Sequence, residues 1–192
     1  MQVSVSGIQV DVGEAFQNHV NKVLKALHGK HNIDPIEVKV QLSKEAHQFR
    51  SDITSHLGAG VVMRSHCLAI DPHTSFDGAS DNLSKRLRRH KGRLDAYHKH
   101  HGTRREKQMV PYYVIQPGET AEEAPIQEDA SPPIIAEIQA EVPTITVSDA
   151  VMQLDLSQEP AMLFYNKSHG GLNMVYLRSD GNIGWVDPQN TK

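Results

Sequence analysis

The chain has 192 residues, 38% of them hydrophobic, which is enough for one domain or two small ones. It has no run of about 18 apolar residues and no basic N-terminal segment leading into an apolar one, so we expect a soluble, cytoplasmic protein. The single cysteine, Cys67, excludes an internal disulfide and is expected to be structural. The net charge of -3 conceals a division, because residues 1–109 hold 17 Lys and Arg against 11 Asp and Glu, whereas residues 110–192 hold 3 against 12.

The sequence begins with patterns typical of a strand and a helix. Alternation of Val3 and Val5 with serines predicts a half-buried strand ending near Gly7. Helical spacing of apolar residues then predicts a helix with a capping box of Asp11 and Glu14 at its start and Gly29 as its C-cap. Apolar residues recur at every second position over 36–42, 48–57 and 61–70, which predicts three strands. The last two strands are predicted to be joined by a tight hairpin at 58–60.

A second helix is predicted from about 73 to 98. Its apolar arc consists of Phe76, Ser80, Leu83, Leu87 and Leu94. The position of this arc on the helix determines the direction in which each charged side chain points. Lys85, Arg88 and Arg89 face away from that arc. Arg86 and Arg93 line one flank of the helix, and Lys91 lies on the other. The predicted element order is therefore strand, helix, three strands, helix.

The outer side of this helix is predicted to bind phosphate. Ten basic and two acidic side chains lie between Lys85 and Lys107, and the helix itself is interrupted only by Asp95, whereas a merely solvated face normally mixes Glu with Lys. The spacings of helix-turn-helix and zinc-finger proteins are absent, and no strand carries the aromatic pattern that stacks bases. A structured RNA read through its backbone and shape is therefore the predicted ligand.

Residues 110–143 have a different composition. They contain six of the ten prolines and seven acidic residues but no Lys or Arg, so we predict an extended, self-repelling linker. Order is expected again from Thr144, with a short strand at Ile145 and Val147, a helix capped by Ser148, and strands over 161–165, 172–178 and 183–186.

Residues 144–192 are predicted to form a homodimerisation domain. A core this small rarely supplies more than about 3–5 kcal/mol, so its apolar side chains would be better buried against a second copy. The residues expected at that interface are Leu163, Tyr165, Val175, Tyr176, Ile183 and Trp185.

Other chemistry is not predicted. Eleven of the twelve histidines precede residue 110, but His98-Lys99-His100-His101 includes a lysine and has no Cys or carboxylate at ligand spacing, so no metal is expected. We instead expect these histidines to line the RNA side, where protonation would raise affinity on mild acidification. Ser65, His66 and Asp71 do not form a triad, because neighbouring strand residues project to opposite faces. No enzyme activity, cofactor or small-molecule substrate is predicted.

Three stretches carry a resemblance to a known family: GAGVVMRSHCLAID, DNLSKRLRRHKGRL and VYLRSDGNIGWVDP. Together with the order of elements and the acidic linker, they resemble long-form ribosome hibernation promoting factors, which are related to ribosome-associated inhibitor protein Y. The resemblance implies an α+β fold in three parts: an rRNA-binding domain of βαβββα layout, similar to a double-stranded RNA-binding domain, over 1–109, the linker over 110–143, and a dimerisation domain over 144–192. It also implies binding to the small ribosomal subunit in the mRNA and tRNA channel, inhibition of translation and pairing of ribosomes.

The RNA-contacting positions implied by the resemblance lie on both helices and are Lys22, Lys25, Lys85, Arg86, Arg88, Arg89, Lys91 and Arg93. Two other classes of protein remain as alternatives: a stand-alone double-stranded RNA-binding protein and a His-rich metal-handling protein. Neither alternative needs the C-terminal domain.

Overall fold

The computed structural model describes residues 1–31, 33–58, 60–101, 107–115 and 133–189, with side chains at all of these positions except 98–101 and 107. Among these residues, no helix is both long and apolar enough to cross a membrane.

The N-terminal unit is a four-stranded sheet, in the order β1-β2-β3-β4, with two helices. Its elements are β1 (Gln2–Ile8), α1 (Glu14–His31), β2 (Glu37–Glu45), β3 (Gln48–His56), β4 (Val62–Ala69) and α2 (Pro72–His101). The crossover through α1 makes β1 parallel to β2, whereas the shorter connections make β2, β3 and β4 antiparallel. The predicted βαβββα order is confirmed.

One face of this sheet is covered by the helices. Along β2, the side chains of Val38, Val40 and Leu42 are buried, whereas Lys39 and Gln41 between them are exposed. The predicted apolar arc of α2 is buried as well, with Leu83, Leu87 and Leu94 almost inaccessible. The position of this arc fixes the outward direction of the charged residues on α2.

Helix α1 differs from the prediction at both ends. The carbonyl of Gly13 accepts the backbone amides of Phe16 and Gln17, so the helix begins from Gly13 and is not capped by Asp11. Gly29 lies inside the helix, which continues to His31. The last turn persists because His31 is buried and its Nε2 lies 3.0 Å from Oγ of Ser84 on α2.

The C-terminal unit is a five-stranded sheet in the order β5-β6-β7-β8-β9, with one helix. Its elements are β5 (Lys107–Ile115), β6 (Ile134–Ile145), α3 (Val147–Ser157), β7 (Ala161–Asn166), β8 (Leu172–Leu177) and β9 (Ile183–Val186). Strands β6 and β7 are parallel across the α3 crossover, and the other pairs are antiparallel. The two units together give the predicted α+β class.

Strands β5 and β6 occupy part of the predicted linker. The prediction of an extended linker differs from the structure over 110–115 and 134–143, where the two strands pair along their length. The sequence holds the signal for β6, because Ala136, Ile138 and Ala140 alternate with Glu137 and Gln139. The rest of the predicted linker, 116–132, lies outside the described residues.

The start of α3 also differs from the prediction. Thr146 is the N-cap rather than Ser148, and its Oγ1 accepts the backbone amide of Asp149 at 3.2 Å. Val147, predicted in a strand, is therefore the first residue of the helix. This capping orients α3 so that its later residues lie against the N-terminal unit.

Candidate RNA-binding surface

The basic residues predicted to bind RNA lie on the outward side of α2 and α1. Lys22 and Lys25 are exposed on the side of α1 opposite the buried Val20 and Leu24. On α2, five of the six predicted residues are exposed and Arg86 is half-buried. The structure divides these six into two flanks, which we call the open flank and the covered flank.

The open flank consists of Lys85, Arg88 and Lys91. Within the part of the chain that the structure describes, none of the three has an ion pair or a side-chain hydrogen bond. Their charges are therefore not neutralised locally and are available to a phosphate backbone.

The end of α1 adds positive charge beside the open flank. Burial lowers the pKa of His31, and the nearby charges of Lys30, Lys91 and Arg88 lower it further. The influence of these three cations on one imidazole indicates a local concentration of positive charge across both helices. Lys30 is exposed in this cluster and was not predicted, although its position in the last turn of α1 was visible in the sequence.

The covered flank consists of Arg86, Arg89 and Arg93, and it faces the C-terminal unit. Nη1 of Arg89 donates to Oδ2 of Asp155 on α3 at 3.3 Å, and Nη1 of Arg93 donates to the carbonyl of Ser148 at 3.3 Å. Arg86 instead donates to the backbone carbonyl of Arg64 at 2.7 Å. Burial lowers the pKa of Arg86, an effect that the charge of Asp155 opposes.

Two further contacts hold α3 against α2. Nε2 of His90 lies 2.5 Å from Oδ2 of Asp155, so one carboxylate serves both His90 and Arg89. Near the end of α2, the hydroxyl of Tyr97 accepts a hydrogen bond from Nε2 of Gln153, and both side chains are buried.

Arg64 of β4 belongs to the same surface and was not predicted. Its guanidinium forms an ion pair with the carboxylate of Glu159, just after α3. A single exposed arginine on a strand gives no periodic signal. Only the tertiary arrangement shows that it continues the covered flank.

The histidines do not form one RNA-facing group. His28 and His31 are buried, and burial lowers the pKa of both, so they are held neutral inside the helix layer. For these two residues the prediction of an RNA-lining role is wrong, because their side chains are buried. The side chains of the His98–His101 segment lie outside those described, and the described residues contain no group of three or more potential metal ligands.

The predicted dimerisation residues are divided between the two faces of the C-terminal sheet. Strand pairing places Leu163 opposite Met174 and Tyr165 opposite Leu172, so these four side chains share one face, which we call the outer face. Tyr176 belongs to the same face. Leu163 and Leu172 are 48% and 42% exposed, which leaves apolar area free for a partner.

The other predicted residues lie on the inner face, where Val175 is buried but Ile183 and Trp185 are 38% and 49% exposed. Val175 is fully buried within the single chain, and its place in a dimer interface stays a prediction. Trp185 pairs with Val175 in register, and its Nε1 donates to Oδ1 of Asn173 at 2.8 Å. Ile183, opposite Leu177, shares this face. Both faces contain apolar residues, so sequence alternation alone did not separate them.

Two family matches cover both units. Residues 3–95 match the family described as Sigma 54 modulation protein / S30EA ribosomal protein, and residues 129–184 match Sigma 54 modulation/S30EA ribosomal protein C terminus. These matches place the chain in the S30EA ribosomal protein class.

Similarity to curated proteins extends over the whole chain. The chain is 34% identical to the ribosome hibernation promotion factor of Rhizobium meliloti (strain 1021), with 100% of both chains covered. It is 36% identical to that of Bradyrhizobium diazoefficiens, covering 100% of this chain and 97% of that protein. The crystal structure of the Thermus thermophilus Protein Y N-terminal domain gives a TM-score of 0.41 at 26% identity, covering 46% of this chain and 98% of that one. The chain belongs to the long-form ribosome hibernation promotion factor family.

Proposed function

We propose that this protein is a ribosome hibernation factor of the cytoplasm. Its N-terminal unit binds rRNA of the small ribosomal subunit in the channel used by mRNA and tRNA, and so inhibits translation by occupancy. Its C-terminal unit forms a homodimer that joins two ribosomes. The single observation that carries this proposal is the open flank of α2, whose three cations have no partner among the described residues, in a chain whose relatives are named for ribosome hibernation.

Electrostatics supports RNA as the ligand. Lys85, Arg88 and Lys91 project from a rigid helix, and Lys22 and Lys25 project from the helix packed beside it. Cations fixed on two rigid helices match a folded RNA backbone better than a flexible tail would, because less conformational freedom is lost on binding. Binding of this kind needs no catalytic group and no cofactor.

The outer face of the C-terminal sheet supports dimerisation. Leu163 and Leu172 are exposed there beside Tyr165, Met174 and Tyr176, which are half-buried. Clustered aromatic and aliphatic side chains are typical of the centre of a protein interface. The strands β5 and β6 extend the same sheet and enlarge the unit beyond the predicted 144–192.

Sedimentation of ribosomes in sucrose gradients tests the proposal. The intact protein should move with small subunits and shift ribosomes to a dimer peak. The double variant Arg88→Ala, Lys91→Ala should bind less and give fewer dimers, whereas the control Lys39→Ala, Lys44→Ala removes the same charge from β2 and should leave both properties unchanged. Equal loss in the two double variants, or no binding by the intact protein, would contradict the proposal.

A further inference from the structure

The cationic surface of α2 is partly occupied by the protein's own C-terminal unit. Asp155 of α3 contacts Arg89 and His90 through one oxygen atom, at 3.3 Å and 2.5 Å. The carboxylate of Glu159 pairs with Arg64 on the neighbouring strand. These acidic groups occupy positions where an RNA phosphate would meet the same cations.

The chemistry of the contact resembles that of RNA binding. Guanidinium groups bind carboxylate and phosphate oxygens with the same donors, so the covered flank has two alternative classes of ligand. The carbonyl of Ser148, which accepts a hydrogen bond from Arg93, adds a third oxygen on α3. The surface of the C-terminal unit that meets α2 is therefore an oxygen-bearing substitute for the RNA backbone.

The contact has the properties of one that can open. A cavity of about 300 Å³, open to solvent, lies at the edge of the contact and is lined by Arg86 of α2 and by Leu154, Asp155, Pro160 and Ile183 of the C-terminal unit among others. The two arginine ion pairs are partly solvent-exposed, and such pairs are individually weak and screened by salt, whereas His90 beside Asp155 is more buried. The buried hydrogen bond between Tyr97 and Gln153 is a further contact that has to break when α3 leaves α2.

We propose that α3 and ribosomal RNA compete for the covered flank of α2, so that the free protein is closed and opens when RNA binds. This inference rests on the proposed function and adds a way in which the protein's own C-terminal unit regulates RNA binding. In the closed form the open flank remains available for first contact with RNA, whereas full engagement of Arg89 and Arg93 requires α3 to leave. The apparent affinity for RNA is then reduced by the fraction of molecules that are open.

Charge variants of α3 in the full-length protein test the competition. Asp155→Asn removes the shared carboxylate, and Asp155→Lys replaces it with a repelling charge. We expect affinity for purified small subunits to rise by about threefold for the first variant and about tenfold for the second, at fixed salt near 0.1 M. Hydrogen exchange of the free protein should become faster in α3 and in the second half of α2.

The matched controls are Glu137→Gln and Glu137→Lys. Glu137 is exposed on β6, opposite Tyr113, so these variants change the net charge equally without touching α2. If the Asp155 and Glu137 variants gain affinity equally, general charge explains the gain and the competition is overturned. If the intact protein binds subunits but the Asp155 variants bind no better, only the competition is overturned. If none of these proteins binds subunits, the proposed function fails together with it.

Discussion

The ring of Tyr176 on β8 packs directly over the backbone of Gly184 on β9, and a Cβ atom at Gly184 would overlap the ring. The absence of a side chain at this position therefore sets how Tyr176 lies on the outer face. The pair connects a local packing requirement to the surface that we propose for dimerisation.

Gly184→Ala should destabilise the C-terminal unit by about 1–3 kcal/mol, because the ring or the strand has to move to admit the methyl group. Thermal unfolding monitored by circular dichroism measures the loss. The control is Gly92→Ala on α2, where nothing lies within 4 Å of the added atom. An alanine there should stabilise the protein by about 0.5–1 kcal/mol, since glycine is a poor helix former. Similar effects from the two substitutions would show that Tyr176 does not depend on Gly184.

Leu163→Glu should weaken the homodimer at least roughly tenfold, because a carboxylate would be buried against a second copy on the outer face. Leu177→Glu is the matched control, since Leu177 is 58% exposed but lies on the inner face. Analytical ultracentrifugation over a concentration series gives both dissociation constants. A dimer weakened only by the Leu177 change would mean that the inner face forms the interface.

Arg88→Ala with Lys91→Ala should reduce the salt dependence of RNA binding. Each phosphate contact contributes about 0.9 to the slope of log affinity against log salt on a duplex, so we expect a fall of about one to two units. Binding isotherms with small subunits at four salt concentrations provide the slopes. A slope equal to that of the intact protein would indicate that the open flank points away from RNA.

The folded state should lose stability on mild acidification. Burial lowers the pKa of His28 and His31 below that of an unfolded histidine, so the unfolded chain takes up protons first. Stability is complete above about pH 6.5, the unfolded value, and falls as the pH drops from there through the lower folded values. Urea unfolding at several pH values should show this decline.

The substitution His28→Leu isolates the contribution of His28 to the pH dependence of stability, since it removes a buried titrating group from α1. The pH dependence of unfolding should become shallower in this variant. His66→Leu, at an exposed position on β4, is the control and should leave the dependence unchanged. A decline that persists equally in both variants would assign the effect to other groups.

Much of the N-terminal unit could be predicted because each element carries its own periodic signal. The apolar arc of α2 gave the outward direction of Lys85 and Arg88 without tertiary information. Strand β6 is not evident from composition, because the prolines and acidic residues of 110–143 obscure the alternation of Ala136, Ile138 and Ala140. Proline and acidic residues are compatible with an exposed ribbon, whose outward side needs no core.

The covered flank could not be predicted from sequence. Arg89 and Asp155 are far apart in the chain, and each is an ordinary charged residue on an amphipathic helix. Their contact depends on how two separately folded units dock, which no local pattern encodes. The burial of Val175 could not be predicted for the same reason. Alternation along β8 shows that the strand has two faces, but it does not show which face α3 covers.

The contact between α3 and α2 forms within one molecule, whereas pairing through the outer face needs two. Synthesis of more protein would therefore favour dimers by mass action but would leave the closed fraction of each copy unchanged. Abundance would set how many ribosomes can be joined. The readiness of any single copy to engage RNA would instead depend on the residues that hold α3 against α2, with Asp155 among them.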